Sequence, residues 1–110
     1  MIVVIPFRPE FKERMLAGSK TWTTRSKAYG EPGDTFVQFG AVFELTAVAK
    51  LPLGTVAAHG HKQEGFETTE EFIKCWNELH PLRGYAPGEE KFVHKFRLAE
   101  GMVAHGRRDK

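Results

Sequence analysis

Four residues near the start of the chain have types and spacing that can do chemistry: Gly18, Lys20, Thr23 and Arg25, in the pattern G-x-K-x-x-T-x-R. A lysine in a partly dry pocket has its charged form disfavoured and can act as a base near neutral pH. Such a base would activate the Thr23 hydroxyl, which is otherwise a poor nucleophile, and Arg25 or backbone amides would receive a developing oxyanion. The same residues also fit a second interpretation, as surface charges on a threonine-rich edge strand.

Strand geometry predicts which of these side chains share a face. Alternation puts Thr21, Thr23 and Arg25 on one face, with Trp22 and Thr24 on the other. Because Trp22 is too large to prefer water, we expect its face to pack under a helix and the Thr23 face to border the remaining space. Lys20 follows the helix-ending glycine closely, and its long stem can reach the same space.

The elements that must position these residues are short strands and two helices. Strands are predicted at 2–5, 20–25, 35–39, 43–51 and 92–98, helices at 9–17 and 69–79, and a helical turn at 55–58. The second helix has the clearest pattern, with a capping box from Thr68 to Glu71 and an apolar stripe at Phe72, Cys75, Trp76 and Leu79. Strands outnumber helices, which favours an α+β domain made of a small curled sheet or barrel with two helices packed on it.

The G-x-K-x-x-T-x-R pattern, placed where a first helix passes into a strand, resembles the signature of the ASCH domain family, a branch of the PUA-like β-barrels. Pro32-Gly33-Asp34 resembles the family's Gly-Asp turn, Glu64-Gly65-Phe66 its E-G-F before a later helix, and 92–98 its closing strand. The resemblance covers about residues 3–98. It implies a PUA-like barrel of five to six strands, on which the two predicted helices pack, in a domain spanning 1–100. Residues 101–110 show no pattern of a helix or strand and are predicted to be a disordered basic tail.

Some small stand-alone members of this family are described as amidohydrolases that remove the acetyl group of N4-acetylcytidine with a lysine, a threonine and a glutamate. By position, the resemblance implies Lys20, Thr23 and Glu64 as the catalytic set, with Glu67 as the alternative carboxylate. The protein would then hydrolyse a non-peptide C–N bond without a cofactor, and Glu64 would handle protons on the leaving amine. Other members are described as binding or cleaving RNA. An RNA- or nucleotide-binding module, with or without ribonuclease activity, is therefore the alternative function.

Residues predicted to bind the substrate are Arg25, Trp22, Thr21 and His94. His94 lies on the apolar face of the last strand, where the usual role is a hydrogen-bonded core histidine, and a site role is the alternative because strand ends in small barrels often face the cleft. Aromatic residues that could stack a base are Phe7, Trp22, Tyr29 and Tyr85.

Metal and cysteine chemistry are not predicted. His59 and His61 have an H-x-H spacing, but no third ligand stands at a fixed distance from them. The single cysteine, Cys75, lies on the apolar stripe of the second helix, which indicates a packing role. One cysteine forms no internal disulfide, in agreement with a reducing compartment.

Length and charge set the remaining limits. A chain of 110 residues is one domain, and no segment approaches the roughly 20 apolar residues of a membrane span or the pattern of a signal peptide. We therefore predict a cytoplasmic protein without a membrane partner, and the resemblance implies a modified nucleoside or RNA as its partner. Residues 1–30 and 91–110 each carry six Lys or Arg against two acidic residues, whereas 61–90 carry three against seven. If the basic ends meet, they make a surface for an anionic ligand, and the equal alternative is scattered solvated charge.

Overall fold

The computed structural model describes residues 1–103, the last four by their backbone alone. Its elements, in chain order, are a 3₁₀ turn at Pro9–Phe11, α1 at Lys12–Ala17, β1 at Trp22–Arg25, β2 at Thr35–Gln38, β3 at Ala41–Pro52, α2 at Leu53–His59, α3 at Thr69–Leu79 and β4 at Glu90–Val103. Within this part of the chain, no helix has the length and apolar character needed to cross a membrane.

The strands form one antiparallel sheet in the order β1-β4-β3-β2. The two long strands, β3 and β4, pair along nearly their whole length, and the register shifts at two places in β3, between Ala41 and Phe43 and between Leu45 and Ala47. Such irregularities bend a strand and increase its twist, so the sheet curls into a half-barrel. Phe43 and Leu45 of β3 are fully buried.

The α+β class is therefore confirmed, whereas five to six strands are not found in the described residues, which form a sheet of four. The segment 2–5, predicted to be a buried strand, makes only a parallel bridge from Ile2 to Thr35. Pro6 ends the segment and lacks the N–H that further pairing needs. Only part of the segment is buried: Ile5 is 2% exposed and belongs to the core, whereas Ile2 and Val4 are 73% and 81% exposed.

The helices differ from the prediction in number. The helical turn predicted at 55–58 is the seven-residue α2, so in residues 1–103 three α-helices accompany the sheet instead of two. The predicted bounds of α3 are confirmed, and its cap is the predicted one, because the Thr68 hydroxyl accepts a hydrogen bond from the backbone N–H of Glu71. The closing strand β4 includes the predicted segment 92–98 but runs on to Val103. The first three residues of the predicted tail thus continue the strand, and 104–110 lie outside the described residues.

Two clusters of buried side chains make up the core. One joins α1 to the sheet and contains Ile5, Phe11, Met15, Phe36, Ala41, Phe43, Leu45 and Phe96. The other lies under α2 and α3 and contains Leu53, Val56, Ala57, Phe72, Trp76 and Val93. Phe66 packs against both clusters. The segment just before α3 is therefore held at the junction of the two clusters, close to β1.

Candidate active site

A cleft of about 240 Å³ opens at this junction. Its polar and charged lining consists of Arg8, Lys20, Thr23, Thr24, Arg25, Glu64 and His80, and its aromatic walls are Phe11, Phe66, Phe72 and Trp76. The three residues that the resemblance assigns to catalysis, Lys20, Thr23 and Glu64, all line this one cleft, and Arg25 lines it with them.

Lys20 reaches the cleft because α1 ends abruptly. Gly18 takes the left-handed conformation, with φ 85°, which glycine adopts without steric penalty. The backbone N–H groups of Ser19 and Lys20 then both donate to the Arg14 carbonyl, at 2.9 and 3.0 Å. The chain is thus folded back under the helix end before β1 begins, and the Lys20 side chain enters the interior.

Glu64 reaches Lys20 because the segment after α2 is tied to the start of β1. The backbone N–H groups of Thr21 and Trp22 donate to the Gln63 carbonyl, at 2.8 and 3.0 Å. Gly65, with φ 102°, passes so close to Lys20 that a Cβ there would lie 3.1 Å from the Cβ of Lys20. The Glu-Gly pair seen in the sequence therefore has a steric reason, since only glycine combines this backbone conformation with this approach.

Lys20 and Glu64 form a buried ion pair. Lys20 is 3% exposed, and its Nζ donates to the carbonyls of Trp22 and Glu64 at 2.8 and 2.9 Å and to Oε1 of Glu64 at 3.5 Å. Burial lowers the pKa of Lys20 from its ordinary value, and the negative charge of Glu64 opposes that effect. The three acceptors match the three protons of an ammonium group. Burial, in contrast, disfavours the charged form and makes the neutral amine easier to form than in an exposed lysine.

The Glu64 carboxylate has a second partner that the sequence analysis did not assign. The hydroxyl of Thr24 donates to Oε2 of Glu64 at 2.5 Å. Thr24 was predicted to face away from the cleft, yet it lines the cleft together with Thr23. The carboxylate reaches it from the segment after α2, which covers the face of β1 that carries Thr24. Glu67, the alternative carboxylate, is exposed and does not line this cleft.

Arg25 contacts Thr23. Its Nε donates to Oγ1 of Thr23 at 2.9 Å, and its Nη2 donates to the Pro6 carbonyl at 2.6 Å. The guanidinium also lies over the rings of Phe7 and Tyr29, 4.9 and 5.7 Å from their centroids. A cation is therefore fixed beside the Thr23 oxygen. Among the described hydrogen bonds of Lys20, none goes to Thr23, so the predicted contact between base and hydroxyl is not formed in this state.

Three residues predicted to bind substrate are not brought to the cleft: Thr21, Trp22 and His94. Thr21 precedes β1, and its backbone N–H donates to the Gln63 carbonyl. Trp22 packs against the core cluster under α2 and α3, close to Gly60, where a Cβ would come within 2.5 Å of the indole. Its size drives it into the core, as the sequence predicted for its face, and this removes it from the cleft.

His94 is a core histidine, fully buried in β4. Its Nε2 accepts a hydrogen bond from the Tyr29 backbone N–H at 3.0 Å, so Nδ1 carries the proton and donates to the Thr23 carbonyl at 3.2 Å. Both ring nitrogens are thus bound to backbone groups. Burial lowers the pKa of His94, which holds the ring in its neutral form. Its role is to fix the backbone behind Thr23.

This burial predicts a pH dependence of stability. The pKa of His94 is lowered in the folded state, so the unfolded chain takes up the proton first, below an ordinary value of about 6.5. The contribution of neutral His94 to the free energy of unfolding is therefore fully present above that pH and is lost as the pH falls further. We expect the free energy of unfolding in urea to decrease from pH 7 to pH 5, and His94→Gln to show a smaller decrease. Exposed His59→Gln is the control, and an equal decrease in both variants would contradict the assignment.

The cleft contains three further residues that the sequence patterns did not place at a site. Cys75 lines the cleft in addition to packing against the core, and burial raises the pKa of its thiol, which disfavours the nucleophilic thiolate. The His80 ring stacks on Trp76, with centroids 4.1 Å apart, and its Nδ1 donates to the Trp76 carbonyl. The i, i+4 spacing of these two residues was the available signal. Within the described part of the chain, Arg8 pairs with the exposed Glu10.

The aromatic residues at the cleft are not the ones proposed for stacking. Phe7 and Tyr29 hold Arg25, and Tyr85 packs at the second core cluster. In the part of the chain that the structure describes, no three His, Cys, Asp or Glu side chains come together as a metal site. His61, from the H-x-H pair, donates from Nδ1 to the Ala57 carbonyl at 3.0 Å.

Solved structures share this arrangement of helices and strands. The chain matches the ASCH domain of Lactobacillus crispatus JV V101 with a TM-score of 0.61 at 13% identity, over 88% of this chain and 77% of that one. The chain has the ASCH-domain fold. A mutant of ZmASCH from Zymomonas mobilis matches this ASCH fold with a TM-score of 0.60 at 16% identity, over 87% and 68% of the two chains.

A protein of Enterococcus faecalis V583 described by the family model DUF984 also matches the chain, with a TM-score of 0.62 at 19% identity over 92% of this chain and 76% of that one. No family model and no curated protein matches the sequence. At these identities the comparisons establish the ASCH fold, and the function has to be argued from the cleft.

Proposed function

We propose that this ASCH-fold protein is an amidohydrolase that removes the acyl group from a modified nucleoside such as N4-acetylcytidine, with Lys20, Thr23 and Glu64 as its catalytic set. The observation that carries the proposal is the buried Lys20–Glu64 pair in the wall of an aromatic cleft that also holds a threonine hydroxyl. Two buried charges are costly to a fold unless they are well paired, which is why such pairs are candidates for a functional role.

The aromatic walls suit a flat substrate. Phe11, Phe66, Phe72 and Trp76 line the cleft, and aromatic faces can stack on any nucleobase. A base held between these walls and β1 would present an acylated exocyclic amine to the hydroxyl and to the charged pair. The amide to be cleaved is neutral, so the Glu64 carboxylate beside it would not repel it.

The proposed reaction is acyl transfer to Thr23 followed by hydrolysis. The Thr23 oxygen attacks the amide carbonyl as its proton passes to Lys20 in the neutral amine form, which burial makes more accessible by lowering the pKa of Lys20. Glu64, in contact with Lys20, relays that proton to the leaving amine as the C–N bond breaks. Water then hydrolyses the acyl ester of Thr23, and the released acid and the amine are the products. Arg25, held at the Thr23 oxygen, stabilises the developing negative charge.

No external cofactor takes part in these steps. Because the chain has a single cysteine, in agreement with a reducing compartment, we propose that the activity is cytoplasmic.

A second candidate function is an RNA- or nucleotide-binding module, with or without ribonuclease activity. Two arginines, Arg8 and Arg25, border the same cleft as the aromatic walls, and this combination also suits a base with an attached phosphate. In that case Lys20 and Glu64 would hold the fold and perform no chemistry.

One experiment separates the two functions. Purified protein is incubated with N4-acetylcytidine, cytidine and acetate are measured, and RNA binding is measured in parallel at two salt concentrations. We expect deacetylation by the wild type, loss of it in Thr23→Val, and no loss in Thr46→Val, whose exposed threonine lies on β3. Absence of turnover, together with RNA affinity that falls steeply with salt, would replace the proposal with the binding function.

A further inference from the structure

Thr24 holds the Glu64 carboxylate in place, and nothing in the catalytic signature assigns it a role. We infer that Thr24 is a positioning residue for the hydrolysis, an inference that rests on the proposed function. Its hydroxyl fixes Oε2 of Glu64, so that Oε1 is the oxygen that exchanges a proton with the leaving amine.

The two oxygens of Glu64 have different partners. Oε2 accepts the short hydrogen bond from Thr24, at 2.5 Å, whereas Oε1 lies 3.5 Å from Nζ of Lys20, a long contact. A hydrogen bond from a hydroxyl to a carboxylate is among the stronger ones in proteins, and it occupies Oε2. Oε1 keeps a lone pair that no short hydrogen bond uses, and it faces the lysine.

Thr24 is a rigid anchor for this contact. It is 6% exposed and lies inside β1, paired with Val93 of β4, so the sheet fixes its backbone. Its β-branched side chain has few rotamers. Glu64, by contrast, belongs to a segment without strand or helix structure and has a longer, more flexible side chain. A fixed hydroxyl in a strand thus orients a carboxylate that comes from a turn 40 residues away.

Replacement of Thr24 by valine keeps the shape and removes the hydroxyl. We expect kcat for N4-acetylcytidine to fall about tenfold or more in Thr24→Val, because a misplaced catalytic group is costly, while KM changes little. Thr24→Ser restores the hydroxyl, and we expect it to recover most of kcat. A purely structural role would lower the amount of folded enzyme, which active-site titration and thermal unfolding measure, without this split between kcat and KM.

Crystal structures of the wild type and Thr24→Val supply a readout that does not depend on turnover. We expect the Glu64 carboxylate to rotate in the variant and its contact with Lys20 to change. An unmoved carboxylate, an unchanged kcat, or an acyl ester trapped on Thr24 itself would each overturn the positioning role. Wild-type protein without hydrolase activity would instead contradict the proposed function, and the carboxylate orientation in the two structures would still show whether Thr24 fixes Glu64.

Discussion

Replacing Lys20 with methionine should abolish hydrolysis and also lower the free energy of unfolding by about 3–5 kcal/mol, the range found when one partner of a buried ion pair is removed. Glu64, only 4% exposed, would keep Thr24 as a hydrogen-bond partner but lose the positive charge that compensates it. Urea unfolding and turnover of N4-acetylcytidine measure the two effects. Lys12→Met, an exposed lysine on α1, is the control and should change neither.

Two further variants separate charge from chemistry. Lys20→Arg keeps a positive charge, but a guanidinium stays protonated and cannot serve as a base, so turnover should remain lost. The double variant Lys20→Met with Glu64→Leu removes both charges, and it should regain much of the lost stability while staying inactive. A Lys20→Arg protein with full turnover would refute the role of Lys20 as a base. A Lys20→Met protein as stable as the wild type would contradict the buried pair itself.

Burial is what the catalytic signature could not reveal. The spacing from Gly18 to Arg25 predicted that Lys20, Thr23 and Arg25 would border one space, because a helix end and a short strand have fixed geometry, and all three line the cleft. It did not show that Lys20 would be sealed under the segment carrying Glu64, since that contact joins residues 44 apart. From the motif alone, replacing Lys20 would be expected to remove activity and leave stability unchanged. The structure predicts that the free energy of unfolding falls as well.

The local parts of the fold were predictable for a similar reason. The bounds of α3 followed from its cap and its apolar stripe, which are signals within one element. The segment 2–5 shows the opposite case, since β-branched residues favour extended backbone, but only neighbouring strands decide whether it pairs. Likewise, alternation along β1 separated Thr23 from Thr24 without showing that the cleft reaches both faces.

Replacing Trp76 with alanine should lower the free energy of unfolding by about 3–5 kcal/mol, as for other truncations of large core aromatics. The indole is 5% exposed and packs between the rings of Phe72 and His80 in the core cluster under α2 and α3. A matched control lies on the same helix: Leu79, from the same predicted stripe, is 43% exposed. Leu79→Ala should therefore cost far less, within about 1 kcal/mol.

Trp76 also forms part of the cleft wall, so the same variant carries a functional expectation. Loss of the indole removes a stacking surface and widens the cleft, and KM for N4-acetylcytidine should rise in protein that is still folded at low temperature. Equilibrium urea unfolding measures the first effect, and initial rates at 10 °C measure the second. Equal urea unfolding midpoints for Trp76→Ala and Leu79→Ala would mean that α3 does not pack on the core through the Trp76 indole. Trp76 would then not be the residue that holds the aromatic wall of the cleft in place.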